Sequence, residues 1–117
     1  MKKRIKQILF DLGIPVSLRG FDYLSDGIEY AIETKRPKMG MLYLYVGNKY
    51  GVKDMRVERG IRHAITRIDR ESEAFKKYVG MNVHRNSEII YNIAYKISEE
   101  IEDEQDISAR DSKRLEV

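Results

Sequence analysis

Apolar residues in this chain recur at intervals of three and four, the spacing of one face of an α-helix, and almost nowhere at intervals of two. The clearest case is Ile89, Ile90, Ile93, Ala94, Ile97 and Ile101, a run that begins behind Asn86 or Ser87, residue types suited to cap a helix. Ile5, Ile8, Leu9 and Leu12 repeat in the same way until Gly13 and Pro15, so a first helix is expected near Lys2 to Leu12. Leu24, Ile28, Ala31 and Ile32 line a second, with Asp22 as its cap, an end near Thr34 and Pro37 beyond it. No alternating strand pair, hairpin dipeptide or internal repeat competes. The fold class that follows is all-α, a compact bundle of about five to six helices.

A length of 117 residues with 42% hydrophobic content suits one domain around one core. It is expected over 1–102, with 103–117 a polar, acidic and flexible tail, because "EQDISARDSKRLEV" lacks a sustained apolar period. A sharper reading of that tail is an acidic segment that competes with a polyanionic partner for the chain's basic residues. The chain has no cysteine, which excludes disulfides and thiolate metal sites and suits a reducing cytoplasm. Its basic start is followed by Asp11, and no apolar run approaches the roughly 18 to 20 residues of a membrane span, so neither a signal peptide nor an anchor is expected.

Net charge is only +3, but it is unevenly placed. Between Lys35 and Arg70 ten lysines and arginines face three acids, a local balance of +7, whereas Glu99 to Asp106 holds six acids and no base. A basic centre calls for a polyanionic partner, double-stranded DNA first.

The basic residues concentrate in "KDMRVERGIRHAI", Lys53 to Ile65. On a helical wheel drawn from Lys53 to Arg70, Val57, Ile61, Ala64, Ile65 and Ile68 form the core stripe. Met55, Arg56, Arg59, His63 and Arg70 lie opposite, with Glu58 and Arg62 on one flank and Arg67 near the other. The preceding run from Met41 to Tyr50 suits a strand by composition alone. It is read as a helix because Gly47 would let two helices approach, Gly51 would permit the turn, and Val46, Tyr50, Val52 and Val57 would fix the angle. That is the packing logic of a helix-turn-helix over about 41–69, whose second helix enters the major groove. Gly60 departs from a good recognition helix, either weakening it or marking a close helix contact.

"RVERGIRHAI", Arg56 to Ile65, closely resembles the signature of the C-terminal DNA-binding domain of the sporulation stage-zero-A response regulators. "LFDLGIPVSLRGFDYLSDGI" is similar to that domain's opening helix, Gly-x-Pro connection and aromatic stretch, and "NSEIIYNIAYKI" to its last helix, so the resemblance covers about Ile8 to Ile97. It implies a six-helix domain that binds short promoter elements as paired or tandem copies, acts on transcription in the cytoplasm at the nucleoid, and meets RNA polymerase or its sigma factor. It also implies base contacts from Arg56, Glu58 and Arg59, roles their chemistry suits: arginine forks onto guanine and glutamate accepts from cytosine N4. Lys53, Arg62 and His63 are candidates for phosphates, and Lys49 and the Lys35, Arg36, Lys38 group are added from charge alone.

Three departures from the family pattern carry expectations of their own. Lys53-Asp54-Met55 is bulkier and more charged than the small polar residues usual there, so the preferred DNA site is expected to differ. No phosphoacceptor receiver sequence precedes Met1: a complete chain would be a stand-alone effector domain without the family's phosphorylation switch, whereas an excised fragment leaves that switch open. Thr66 to Arg85 is shorter than the family region that contacts polymerase, which makes activation less secure than DNA binding.

Plainer roles compete for some of these residues. Glu58 has Arg62 four residues on as an ion-pair partner, a few tenths of a kcal/mol on a helix. The eight tyrosines sit at helical positions among apolar neighbours and suit packing better than base stacking. His63 suits a surface or phosphate role rather than a metal, and His84, before the last helix, a structural or neutral one. No cofactor is implied, and no phosphate loop, nucleophile with its base or metal spacing appears, so an enzyme is not expected. The competing class is a helical protein-interaction module that binds a regulator or polymerase subunit and has lost specific DNA affinity.

Overall fold

Helix α1, Lys2–Asp11, buries Ile5, Ile8 and Leu9 and leaves Lys3, Arg4 and Lys6 outside. It stops where expected, because Gly13 turns the chain at φ +93° and returns Ile14 to the core. This computed structural model describes the chain except residue 84 and residues 116 and 117, and its side chains as far as residue 104. The expectation for His84 therefore lies outside the described residues.

Helix α2, Arg19–Thr34, is the centre of the molecule and packs on α1 and on three later helices described below. It begins three residues before Asp22, which corrects the expected cap. Leu18 occupies the cap position in extended conformation without a side-chain hydrogen bond, and Asp22 sits inside the first turn, where a negative charge favours the helix dipole. At the other end Lys35 and Arg36 both take left-handed backbone angles, φ 53° and 62°, ahead of Pro37. The residue before a proline avoids the right-handed helical region, so the helix cannot run on. Arg36 is held there with its guanidinium 5.1 Å from the centre of the Tyr91 ring, while the Tyr91 hydroxyl donates to the Pro37 carbonyl at 2.6 Å.

Helix α3, Met39–Tyr50, settles the strand-like apolar run as helical. Leu42, Val46 and Gly47 face the core, and Gly51 ends the helix at φ +68°. The Val52 amide then donates back to the Gly47 carbonyl at 2.9 Å. A Cβ on Gly47 would lie 2.6 Å from the Val52 carbonyl oxygen, so the turn closes this tightly only over a residue without a side chain.

Helix α4, Asp54–Ile65, buries Val57, Ile61, Ala64 and Ile65, as the wheel predicts, but it is shorter than the expected Lys53 to Arg70. Thr66 ends it: its hydroxyl donates to the His63 carbonyl at 2.6 Å and its amide is shared between the Arg62 and His63 carbonyls. Arg67 and Ile68 then bond three residues back, a tighter winding that leaves the α-helix. Ile68 still packs on the core. Arg67 and Arg70 do not belong to α4, and the Arg70 guanidinium lies 5.5 Å from the Phe75 ring centre.

A short helix, α5, Glu73–Tyr78, is one that no periodic pattern marks out. Ser72 caps it by accepting from the Phe75 amide at 3.1 Å. Helix α6, Asn86–Leu115, buries Ile89, Ile90, Ile93, Ala94 and Ile97. The Glu88 and Ile89 amides donate to the Arg85 carbonyl, so Arg85 holds the cap position and Asn86 and Ser87 lie in the first turn. The acidic segment from 103, expected to be a flexible tail, continues this helix as far as Leu115.

These six helices, with no strand among the described residues, enclose one apolar core to which every helix contributes. Five of the eight tyrosines are buried or half-buried: Tyr23, Tyr30, Tyr43, Tyr78 and Tyr91. Of the exposed three, Tyr45 stacks on Tyr30 with centroids 4.4 Å apart and Tyr50 meets Tyr23 edge-on at 5.3 Å.

Candidate nucleic-acid interface

The junction of α3 and α4 is fixed by two means. At the turn, Gly47 and Gly51 set the backbone, as described. The last turn of α3 is tied to the rest of the protein through Asp26, a carboxylate on α2 that is only 2% exposed. It forms ion pairs with Lys49, 2.8 Å away, and with Lys2 of α1, and accepts a hydrogen bond from the Tyr50 hydroxyl. Burial pushes the Asp26 carboxyl up, but the bonds from Lys2, Lys49 and Tyr50 outweigh it and hold the group below the usual carboxylate range. Asp26 in turn raises the Lys49 ammonium above its ordinary value, and burial followed by Asp26 does the same to the Tyr50 hydroxyl. Lys49, assigned to phosphates from charge alone, is thus the counter-ion of a buried acid, with its side chain 42% exposed.

The flanks of α4 are set by close helix packing. Gly60 resolves in favour of the close contact. A Cβ at Gly20 would stand 2.1 Å from the Gly60 carbonyl oxygen, and one at Gly60 would stand 2.8 Å from the Tyr23 ring. Two glycines therefore let the first turn of α2 lie against the middle of α4, one helix backbone nearly touching the other. On the opposite flank, Glu58 and Arg62 lie beside α3, where Tyr43 has its hydroxyl raised first by burial and then by the Glu58 charge.

What α4 leaves outside is basic. Arg56, Arg59, Arg62, His63 and Lys53 are exposed, and Met55 is 61% exposed at the helix start. Among the described residues Arg56, Arg59 and His63 have no ion-pair partner, while Arg62 reaches Glu58 at only 3.7 Å, a solvated pair of little energetic weight. Glu58 is half-buried on the same flank. Arg56, Arg59, Arg62 and His63 come together around a surface depression of about 640 Å³ with Tyr23 and Gly60 in its wall. A fifth basic group joins them that no sequence signal marks: Arg19, from the first turn of α2. The depression has no carboxylate in its lining. Lys53 stands at the cap of α4 outside the depression, and the Lys35, Arg36, Lys38 group lies at the α2–α3 connection, where Arg36 turns to Tyr91.

A helix packed on one flank against α2 at backbone distance, with the unpaired guanidinium groups of Arg56 and Arg59 on its free side, is suited to a polyanion that presents both phosphates and base edges. The α3–Gly51–α4 arrangement is compatible with a helix-turn-helix. Among the described residues no cluster of histidine and carboxylate groups could hold a metal ion, and no helix is long and apolar enough to cross a membrane. The model of a protein family described as "Sporulation initiation factor Spo0A C terminal" matches residues 5–97.

Proposed function

The chain belongs to the Spo0A C-terminal family of DNA-binding effector domains, and from that footing we propose that it is a sequence-specific, non-enzymatic transcription regulator whose α4 reads the major groove. The observation that carries this reading is the outer face of α4. Arg56 and Arg59 project from its first two turns with no partner among the described residues, the place from which a recognition helix reaches base edges.

In this reading Arg56 and Arg59 fork onto guanine O6 and N7, and Glu58 accepts from cytosine N4. The weak Glu58–Arg62 contact does not prevent this, since both side chains are partly solvated. Lys53, Arg62 and His63 bind phosphates and set the register, and Lys49 contributes through Asp26 more than through DNA. Binding is to duplex DNA in the cytoplasm, as paired or tandem copies, with RNA polymerase or its sigma factor as the partner on the promoter.

The test is selection of preferred sites from random duplex DNA with the purified chain, followed by titration of the selected duplex at several salt concentrations. A short enriched site and affinity that falls steeply with salt are expected. A protein-interaction module is the second reading, and the exposed Met41, Leu44 and Tyr45 along α3 are the observation in its favour. Flat salt dependence without an enriched site would select it.

A further inference from the structure

The Gly20–Gly60 crossing delivers a residue of another helix to the reading surface. We propose that Arg19 binds a backbone phosphate of the duplex beside the groove that α4 enters, which makes α2 a second DNA-contacting element; this rests on the function proposed above.

Three observations carry it. Arg19 shares the depression with Arg56, Arg59, Arg62 and His63, so its guanidinium belongs to the same field as the groups on α4. It is exposed and has no ion-pair partner among the described residues, so its charge is answered neither by burial nor by a carboxylate. Its location is built into the backbone: with Gly20 against the Gly60 carbonyl, Arg19 cannot move away from α4 without separating the two helices.

The same placement decides what Arg19 touches. On the wheel, Gly60 lies between the core stripe and the outer face, so the element packed on it stands beside α4 rather than ahead of it. When α4 enters the groove, that position faces the wall, and the wall is sugar and phosphate. Arg19 therefore positions the protein without reading sequence, on the flank opposite Glu58.

The experiment uses the full chain and two probes: the duplex that the wild-type chain selects and a duplex of scrambled sequence. Affinities for wild type, Arg19→Ala, Arg19→Lys and Arg56→Ala are measured from 0.05 to 0.3 M salt, with folding checked by circular dichroism. Removing one phosphate contact should lower the slope of log affinity against log salt by about 0.9, close to an eightfold loss at 0.1 M salt. For Arg19→Ala that loss should be the same on both duplexes, Arg19→Lys should recover most of it, and Arg56→Ala should lose discrimination between them. Wild-type affinity and slope in a folded Arg19→Ala would overturn the proposal. So would a loss of affinity with an unchanged slope, which would make the role structural, or a loss confined to the selected duplex, which would make Arg19 a base reader. If wild type itself shows neither selection nor a salt slope, the parent reading fails and the Arg19 contact fails with it.

Discussion

Asp26→Asn probes the link between the core and the reading unit. The carboxylate is 2% exposed and holds Lys2, Lys49 and Tyr50 together. Breaking a fully buried ion pair costs about 3 to 5 kcal/mol, most of it from the charge left behind without a partner. Here the charges left behind belong to lysines 38% and 42% exposed, which regain water once released. The asparagine oxygen also still accepts one hydrogen bond. About 1.5 kcal/mol is therefore expected, the scale of one charge-assisted hydrogen bond. With about 2.1 cal/mol/K of unfolding entropy per residue over 117 residues, that lowers Tm by about 6 °C. The pH dependence gives a second signature. A carboxyl held below its ordinary value contributes stability that is complete above its unfolded pKa, about 3.9, and is lost as pH falls through the folded value. The gap between wild type and Asp26→Asn, followed by thermal and urea unfolding with circular dichroism, should be full near neutrality and close progressively below about pH 4. Equal Tm values at neutral pH, or a gap that stays constant into acid, would refute the account of Asp26 as an ionised anchor.

Three further predictions concern other parts of the molecule. Gly47→Ala and Gly60→Ala should each destabilise by about 1 to 3 kcal/mol, because the new methyl meets a backbone oxygen at 2.6 Å in one case and the Tyr23 ring at 2.8 Å in the other. Gly40→Ala, with nothing within 4 Å, should stabilise by about 0.5 kcal/mol, and denaturant midpoints for the three variants check the change of sign. Tyr78, whose hydroxyl donates to Glu100 at 2.6 Å, is pushed up to about 12 by burial and then by that carboxylate. Its share of stability is complete below the ordinary tyrosine value and lost as pH rises through about 12, so Tyr78→Phe, at a cost of about 1 kcal/mol near neutrality, should flatten alkaline unfolding curves. Arg56→Ala should cost about 1 to 3 kcal/mol of DNA binding and relax one base pair, whereas Lys53→Ala should weaken all sequences alike. Equal, sequence-blind losses would deny Arg56 its base.

The elements legible in the sequence are those whose own apolar stripe meets the core: α1, α2 apart from its first turn, α6 and the buried side of α4. The misread boundaries have two kinds of cause, contacts between segments distant in the chain and local bonds that end or cap a helix against its apolar period. Gly20 looks like a linker residue, yet it is helical because Gly60, forty positions later, needs the space. Ile68 keeps the helical phase of Ile61 and Ile65, yet Thr66 and its carbonyl partners have already tightened the winding. Helix α5 is six residues long, too short to display a period, and Ser72 was its only local sign. For the site, the basic face of α4 was readable because all its members lie on one helix. Lys49 was not, since its partner Asp26 is on another, and neither was Arg19, whose neighbours are set by a helix crossing.

Helix α4 divides its residues between two tasks that scarcely overlap. Val57, Ile61, Ala64 and Ile65 fold the domain and Gly60 sets its distance from α2, while Arg56, Arg59 and His63 take little part in holding the protein together. Exchanging residues of the second set should be close to neutral for folding, since solvent-exposed substitutions usually are. Under the proposed function, a scaffold of this kind can acquire a new operator by mutation without first passing through an unstable intermediate, so a recognition code carried by these residues is free to drift while the architecture stays put.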